Sequence, residues 1–181
     1  MRGDLSVHGP ESSFPFRAAA SDTRWEAGEP IYSDTTLGSG LDVAGSAVAV
    51  NKYELALVDL GIIGTTQKFG GVALKGALPF KTGTLIAQRG ICTRPIAWAG
   101  ILRGKAETAA SIDTESELLA IIGDAVLIDY SATGASDGGE LYTIKEVGSA
   151  DTSGFTIVDG NTTKGTLDVV VDGRLYRGDV S

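Results

Sequence analysis

Side chains that carry out chemistry near neutral pH are scarce in this chain. Its 181 residues include 25 glycines but a single histidine, His8, and a single cysteine, Cys92. Histidine is the usual general base at neutral pH, and His8 lies in a polar stretch at the N-terminus, where we expect a mobile chain. Cys92 follows apolar Ile91, which favours burial of its thiol as a small hydrophobic group. The composition therefore favours a structural or binding protein over an enzyme.

Two loops have residue spacings that resemble known chemical sites. Residues 134–138 fit the Gly-x-Ser-x-Gly pattern of a hydrolase nucleophile, but no histidine follows them and strand patterns flank them on both sides. Residues 129–140 place oxygen-bearing side chains at the spacing of a calcium loop, with Asp129, Asp137 and Glu140 as its carboxylates. Strand patterns replace the helices that flank such a loop, so we favour a solvated hairpin, and calcium binding stays open. We predict no catalytic residue, no metal site and no cofactor.

Acidic residues form two groups that could supply the general acid and base of a glycosidase. Glu115 and Glu117 are one group, and Asp22, Glu26 and Glu29 are the other. A glycosidase needs two carboxyl groups across a cleft with pKa values pushed apart. Helix capping accounts for the first group, and a solvated N-terminal arm accounts for the second. A hydrolase with a carboxylate pair or a metal site is therefore the weaker hypothesis.

The charge and the apolar patterning argue against two kinds of partner. The net charge is -8 and the 15 basic residues form no run, whereas binding to a nucleic acid backbone needs clustered Lys and Arg. The N-terminal region lacks the apolar core of a signal peptide, and the longest apolar stretches, such as residues 96–102, are far shorter than the ~20 residues of a membrane span. We therefore expect a soluble protein made in the cytoplasm that binds neither nucleic acid nor membrane.

The glycine content and the apolar patterning predict a mainly β fold. Glycine occurs at about twice its usual share, which is typical of turns between many short strands. The predicted fold is a small antiparallel barrel or sandwich with one short helix and an extended N-terminal arm. The predicted strands are residues 47–50, 54–60, 71–74, 84–87, 96–102, 125–130, 141–147, 155–159 and 167–171.

The helix has the clearest local signals in the sequence. Asp113 or Thr114 can cap its N-terminus, and residues 114–117 have the spacing of a capping box. Gly123 stands where a helix of this length would end. We therefore predict a short helix that begins after Thr114.

Three regions are predicted along the chain. Residues 1–30 form an extended arm, residues 31–110 form a β-rich domain, and residues 111–181 form the short helix and an antiparallel meander. The last two regions can also form one continuous domain. The arm contains Phe14, Pro15, Phe16 and Trp25, and we predict that these residues bind a partner. The alternative is that these aromatic side chains pack back onto their own domain.

Two short motifs between residues 83 and 102 resemble a known family. Residues 83–87 read Gly-Thr-Leu-Ile-Ala, and residues 99–102 read Ala-Gly-Ile-Leu, after a short polar break and Arg94 to Trp98. A Gly-x-Leu-x-Ala strand followed by an Ala-Gly-Ile-Leu strand resembles the pattern of head decoration proteins of tailed bacteriophages. The resemblance covers about twenty residues, and the part of the chain after Ser111 is longer than a minimal decoration domain needs.

The resemblance implies a non-enzymatic virion protein that binds the outer surface of a capsid and stabilises it. It implies a homotrimer at local threefold positions, with the major capsid protein as partner and residues 1–30 as the arm that adds a strand to it. The protein would be made in the host cytoplasm and would be located on the exterior of the capsid in the virion. The alternative function is a surface- or carbohydrate-binding β-module, which would need Trp25 and Trp98 exposed in a groove.

Overall fold

Two antiparallel sheets and one short helix form the described part of the protein. The structure, a computed structural model, describes residues 5–17, 27–34, 53–55, 61, 67–74, 89–96, 100–107, 112–130, 142–147 and 153–172. The strands are β1 (Ser6–His8), β2 (Glu11–Arg17), β3 (Pro30–Asp34), β4 (Tyr53–Leu55), β5 (Gln67–Ala73), β6 (Arg89–Pro95), β7 (Ile101–Lys105), β8 (Ala125–Tyr130), β9 (Tyr142–Glu146), β10 (Phe155–Asn161) and β11 (Thr166–Val171). The helix α1 spans Glu115–Ile121.

The strands divide between a six-stranded sheet and a five-stranded sheet. The six-stranded sheet has the order β1-β7-β11-β10-β8-β9, and the five-stranded sheet has the order β2-β6-β5-β3-β4. The predicted mainly β fold with one short helix is confirmed, and within the described ranges the two sheets are sandwich-like without closing into a barrel.

The two sheets share one hydrophobic core. Phe69 from the five-stranded sheet meets Phe155 from the six-stranded sheet edge to face, with ring centroids 5.6 Å apart and an interplanar angle of 79°. The buried cluster consists of Leu5, Phe69, Val72, Leu102, Ile112, Leu118, Val126, Ile128, Tyr142, Ile144, Phe155, Ile157, Leu167, Val169 and Val171. The sequence regions 31–110 and 111–181 both contribute to it, as in the alternative that joined them in one continuous domain.

The N-terminal segment belongs to both sheets. β1 pairs with β7, β2 pairs with β6 along its whole length, and Leu5 is a buried member of the core. This part of the predicted arm is extended, but its hydrogen bonds go to the chain's own strands. His8, which we expected to be mobile, lies in β1, and Glu29, which we expected in a solvated arm, is only 1% exposed.

The chain passes from one sheet to the other at a tight corner near Gly9 and Pro10. The Pro10 carbonyl accepts a hydrogen bond from the Ile96 N–H at 3.0 Å, and the Ile96 carbonyl accepts one from the Gly100 N–H at 2.8 Å. A Cβ at Gly100 would overlap the Pro10 carbonyl oxygen and lie 2.7 Å from Pro95 Cα. Only glycine allows the two β ribbons to approach this closely, so Gly100 fixes the corner between the sheets.

Both ends of the helix are formed by the residues that the sequence predicts. The Thr114 hydroxyl accepts from the Glu117 N–H at 3.3 Å, and the Glu117 carboxylate accepts from the Thr114 N–H at 3.0 Å. This reciprocal pair is the predicted capping box. Gly123 adopts a φ of +97° just after the helix, and Leu118 buries one face of the helix against Gly160.

The strand predictions hold best in the C-terminal half. β8 has the predicted bounds, and β9, β10 and β11 cover most of the predicted residues. Their order is not the predicted meander, because β10 pairs with β8 instead of β9. The prediction of one strand over residues 96–102 is wrong at its start, because Ile96 and Gly100 form the corner and β7 begins at Ile101.

Other strand predictions have mixed outcomes. Residues 71–74 overlap β5, and residues 54–60 overlap β4, which ends at Leu55. Residues 47–50 and 84–87 lie outside the described residues. β1, β2, β3 and β6 were not predicted, and of these β6 lies between β2 and β5, so tertiary pairing outweighs its polar composition.

We expect Gly100→Ala to lower the free energy of unfolding by about 3 kcal/mol or more, because the new methyl group would meet backbone atoms that cannot move aside. Gly123→Ala is the matched control: nothing lies within 4 Å of its Cβ position, so only the strain of a positive φ remains, about 1 kcal/mol. Urea unfolding of both variants measures the difference. Equal losses in the two variants would contradict the role given to the corner.

We expect Leu5→Ala to lower the free energy of unfolding by about 2 to 5 kcal/mol, because Leu5 fills the space over Gly104 in the core. Ile91→Ala removes a side chain that is 44% exposed and should change the stability by about 0.5 kcal/mol or less. The measurement is again urea unfolding. A Leu5→Ala variant as stable as the unmodified protein would mean that the N-terminal segment is not part of the folded domain.

Candidate functional site

The edge strand β2 carries three of the four residues predicted to bind a partner. In its pairing with β6, Phe14 is opposite Cys92, Pro15 is opposite Ile91, and Phe16 is opposite Gly90. The fourth predicted residue, Trp25, lies outside the described residues, as does Trp98. The structure therefore brings Phe14, Pro15 and Phe16 together on one strand at the end of the five-stranded sheet.

β2 has the properties of an edge that can accept another strand. Among the described strands it has a neighbour on one side only, which is β6. The buried Thr93 hydroxyl of β6 donates to the Ser12 carbonyl of β2 at 3.4 Å and helps to hold the two strands together. Pro15 has no N–H to donate, and proline within a sheet is confined to edges and bulges. A strand from a partner could extend the sheet by pairing with the side of β2 that does not face β6.

Exposed aliphatic side chains lie near the two ends of β6, the strand that follows the edge strand: Leu74 and Ile91 at one end and Ile96 just beyond the other. We call Leu74, Ile91 and Ile96 the apolar row; they are 42%, 44% and 47% exposed. The Leu74 N–H donates to the Ile91 carbonyl at 2.9 Å, so these two residues are neighbours across the sheet. The sequence analysis missed the apolar row. The alternation of side chains along a strand gives no usable signal for it, because the next neighbours on β6, Cys92 and Thr93, face opposite sides and are both buried.

Cys92 occupies the inward side of β6. It is fully buried, and its thiol donates a weak hydrogen bond to the Gly70 carbonyl at 3.5 Å. Burial raises the pKa of the Cys92 thiol to about 12, and the positive charge of Arg94 opposes this by a smaller amount. The thiol is therefore protonated at neutral pH, and its predicted role as a small hydrophobic group is confirmed.

Ion pairs cross-link the outer side of the six-stranded sheet. The Arg103 guanidinium donates two hydrogen bonds to the buried Asp168 carboxylate, at 2.5 and 2.6 Å, from the opposite position on the next strand. These bonds, together with the charges of Asp168 and Asp159, raise the pKa of Arg103. A bidentate pair of this kind has a fixed geometry, and we interpret it as structural support for β7 and β11.

His8 makes a hydrogen bond with Ser6 on the same strand. Ser6 Oγ and His8 Nε2 are 2.9 Å apart, and both side chains are exposed. A serine activated by histidine needs a desolvated pocket that holds both groups against the substrate. The surface position of this pair on β1 does not supply one.

The acidic residue Glu117 pairs with Asp113 and not with Glu115. A hydrogen bond with Asp113 is the main cause that lowers the pKa of Glu117, and the Thr114 hydroxyl and N–H add to it. The same hydrogen bond and the charge of Glu117 raise the pKa of Asp113. The two pKa values are pushed apart, but the carboxyls touch each other on an exposed helix end, so no sugar ring can lie between them. The interpretation of helix capping is supported.

Possible metal ligands are not grouped in the described part of the chain. No set of three or more His, Cys, Asp or Glu side chains that could hold a metal ion occurs there. Most of the possible calcium loop lies outside the described residues. Its first residue, Asp129, accepts a hydrogen bond from Lys145 Nζ at 3.0 Å. Of the helices described, none has both the length and the apolar character to cross a membrane.

We expect the carboxyl groups of Asp113 and Glu117 to titrate in opposite directions from their usual values. In a carboxyl-carbon NMR titration, the pKa of Glu117 should be lowered and that of Asp113 raised. The contribution of Glu117 to folding is then present at neutral pH and lost as the pH falls through its lowered pKa. The contribution of Asp113 has the opposite sign: it is present at acidic pH and lost as the pH rises through its raised pKa.

Thr114→Ala should raise the pKa of Glu117 toward its usual value, because the variant lacks the hydroxyl that donates to the carboxylate at 2.7 Å. Ser116→Ala, on the same helix, is the control and should leave the pKa of Glu117 unchanged. An unchanged pKa in Thr114→Ala would mean that the capping box does not form in solution.

Comparison with known proteins identified no relative. No protein-family model, no curated protein and no solved structure matches this chain. The resemblance of residues 83–102 to head decoration proteins therefore stays a prediction. The function has to be inferred from the residues and surfaces described above.

Proposed function

We propose that this chain is a non-enzymatic structural protein of a virion, which binds the outer surface of a capsid and stabilises it. The observation that carries the proposal is the juxtaposition of an open strand edge, β2, with the exposed apolar row Leu74, Ile91 and Ile96. This surface has the two components of strand addition: main-chain groups for hydrogen bonds and side chains for apolar contact. The resemblance of residues 83–102 to phage head decoration proteins supports the choice of a capsid as the partner.

Of the residues that carry the resemblance, the described ones, 94–96 and 100–102, lie at the corner of the fold. Gly100 approaches the Pro10 carbonyl there, and Ile101 and Leu102 begin β7. By joining β6 to β7, the corner aligns the N-terminal segment so that β2 lies at the edge of its sheet. The described part of the motif therefore contributes to presenting the contact surface, which gives it a physical role in the proposed function.

The proposed binding mode differs from that of a free arm. The backbone of β2 is already paired with β6, so it does not have to be ordered when the partner binds. A segment of the major capsid protein would add to the free side of β2. Another apolar part of the same capsid surface would cover Ile91 and Leu74, which lie one and two strands further into the sheet. Trimerisation at a threefold position would strengthen a weak individual contact, because three linked subunits raise the effective concentration of each one.

The test is cosedimentation of the full chain with capsids assembled from the major capsid protein of the genome that encodes it. The unmodified chain should bind saturably and raise the temperature at which the capsids disrupt. Ile91→Asp should weaken binding by at least about tenfold, because it buries an unpaired charge in an apolar contact. Light scattering of the free chain should give the mass of a trimer.

The matched control is Val158→Asp, which places the same charge on the six-stranded sheet at a residue that is 36% exposed. This variant should bind capsids as the unmodified chain does. Equal binding by Ile91→Asp would exclude the proposed surface, and an absence of capsid binding by the unmodified chain would exclude the proposed function. Saturable binding of oligosaccharides without capsid binding, with Trp25 and Trp98 open to quenching by iodide, would favour the alternative of a carbohydrate-binding module.

A further inference from the structure

A cavity of about 130 Å³ opens beside the helix, away from the β2 edge. It is bounded by α1, by the residues just before the helix and just after β7, and by the strands β9 and β11. Its lining residues are Ala106, Glu107, Ile112, Ile121, Ile144, Lys145, Glu146 and Leu167. No residue of the apolar row lines it, so the cavity is independent of the capsid contact proposed above.

The inner part of the cavity is apolar and built from the core. Ile112, Ile144 and Leu167 are each 2% exposed or less and belong to the core cluster, and Ile121 of the helix packs against them. An apolar cavity of about 150 Å³ in another protein holds one benzene molecule. The volume of this cavity is therefore similar to that needed by a compact hydrocarbon group of about six carbon atoms, with apolar residues lining one part and Glu107, Lys145 and Glu146 lining the rest.

The rim of the cavity is negatively charged. Lys145 Nζ lies 3.0 Å from the Asp129 carboxylate and 3.4 Å from the Glu107 carboxylate, so its positive charge is already paired twice. Glu146 contributes a further carboxylate, and no ion pair joins it to another described residue. Among the lining residues, the two carboxylates of Glu107 and Glu146 against the one ammonium of Lys145 leave an excess of one negative charge where the cavity opens.

We propose that this cavity binds a small organic cation: an ammonium group attached to a compact apolar body of about the size of benzene. The apolar body lies against Ile112, Ile144 and Leu167; these side chains are already buried, so the gain comes from removing the ligand's own hydrocarbon surface from water. The ammonium group stays at the rim, next to the carboxylate of Glu146 and that of Glu107. A carboxylate at the same position would meet two like charges, so the site selects cations over anions of the same shape.

The test is an NMR titration of the full chain with benzylamine, benzyl alcohol and benzoate, which share a ring and differ in charge. We expect benzylamine to bind in the millimolar range, with saturable shifts of the methyl groups of Ile112, Ile121, Ile144 and Leu167. Benzyl alcohol should bind more weakly and benzoate least. Added salt should weaken the binding of benzylamine and leave the binding of benzyl alcohol unchanged, because salt screens only the charge interaction.

Two variants separate the charge from the cavity. Glu146→Gln should weaken the affinity for benzylamine by about twofold to fivefold without changing the affinity for benzyl alcohol, as expected for the loss of one exposed carboxylate. Glu11→Gln, which makes the same charge change on the distant strand β2, should leave both affinities unchanged. Ala106→Leu, which fills the cavity, should abolish the methyl shifts with all three compounds.

The outcomes decide the proposal even if Ala106→Leu does not fold, because the comparison of the two glutamate variants does not depend on it. Methyl shifts that saturate with benzylamine and respond to Glu146→Gln support the site. An absence of saturable shifts with benzylamine would overturn it. Binding of benzoate as tight as that of benzylamine, or equal effects of Glu146→Gln and Glu11→Gln, would overturn the selectivity for cations.

Discussion

The contact of Gly100 with the Pro10 carbonyl is the constraint on which the arrangement of both sheets depends. At this point the N-terminal segment leaves the six-stranded sheet and enters the five-stranded sheet, and its partner ribbon makes the reverse change. The two sheets are therefore joined through paired strands as well as through the edge-to-face contact of Phe69 and Phe155. Leu5 can reach the core, and β2 can lie at an edge, only because the ribbons cross here without a side chain between them.

The outer sides of the two sheets differ in their charged pairs, although the six-stranded sheet also exposes Val158, and this difference suits the proposed attachment through the five-stranded sheet. The six-stranded sheet carries charged pairs, such as Arg103 with Asp168 and Lys145 with Asp129, which remain hydrated or mutually neutralised. The five-stranded sheet exposes Ile91 on β6 and Leu74 at the end of β5, the two strands that follow the edge strand β2. Contact through the second sheet would remove apolar surface from water, while the charges of the first sheet would remain in solvent and keep the complex soluble.

The sequence was sufficient to predict features that depend on local interactions. The capping box of Thr114 and Glu117, the stop at Gly123 and the bounds of β8 follow from side chains within a few residues of one another. The pairing of β10 with β8 and the internal position of β6 depend on distant strands, which the pattern of a single strand does not reveal.

The same distinction holds for the candidate sites. Phe14 to Phe16 were predicted to be contact residues because two aromatic side chains alternate across a proline, but their place on a paired edge strand depends on β6. The exposure of Ile91 and the cavity beside Lys145 depend on which neighbours cover each residue, so the sequence could not predict either one.

The burial of Cys92 makes this thiol a natural reporter of the five-stranded sheet. Alkylating reagents attack the thiolate, and a buried thiol with a pKa near 12 supplies almost none of it in the folded state. Modification at neutral pH therefore requires β6 to separate from its neighbours, so its rate, compared with that of the unfolded chain and the same reagent, measures the opening of that sheet. Because the chain has no other cysteine, any incorporated label reports on this one position.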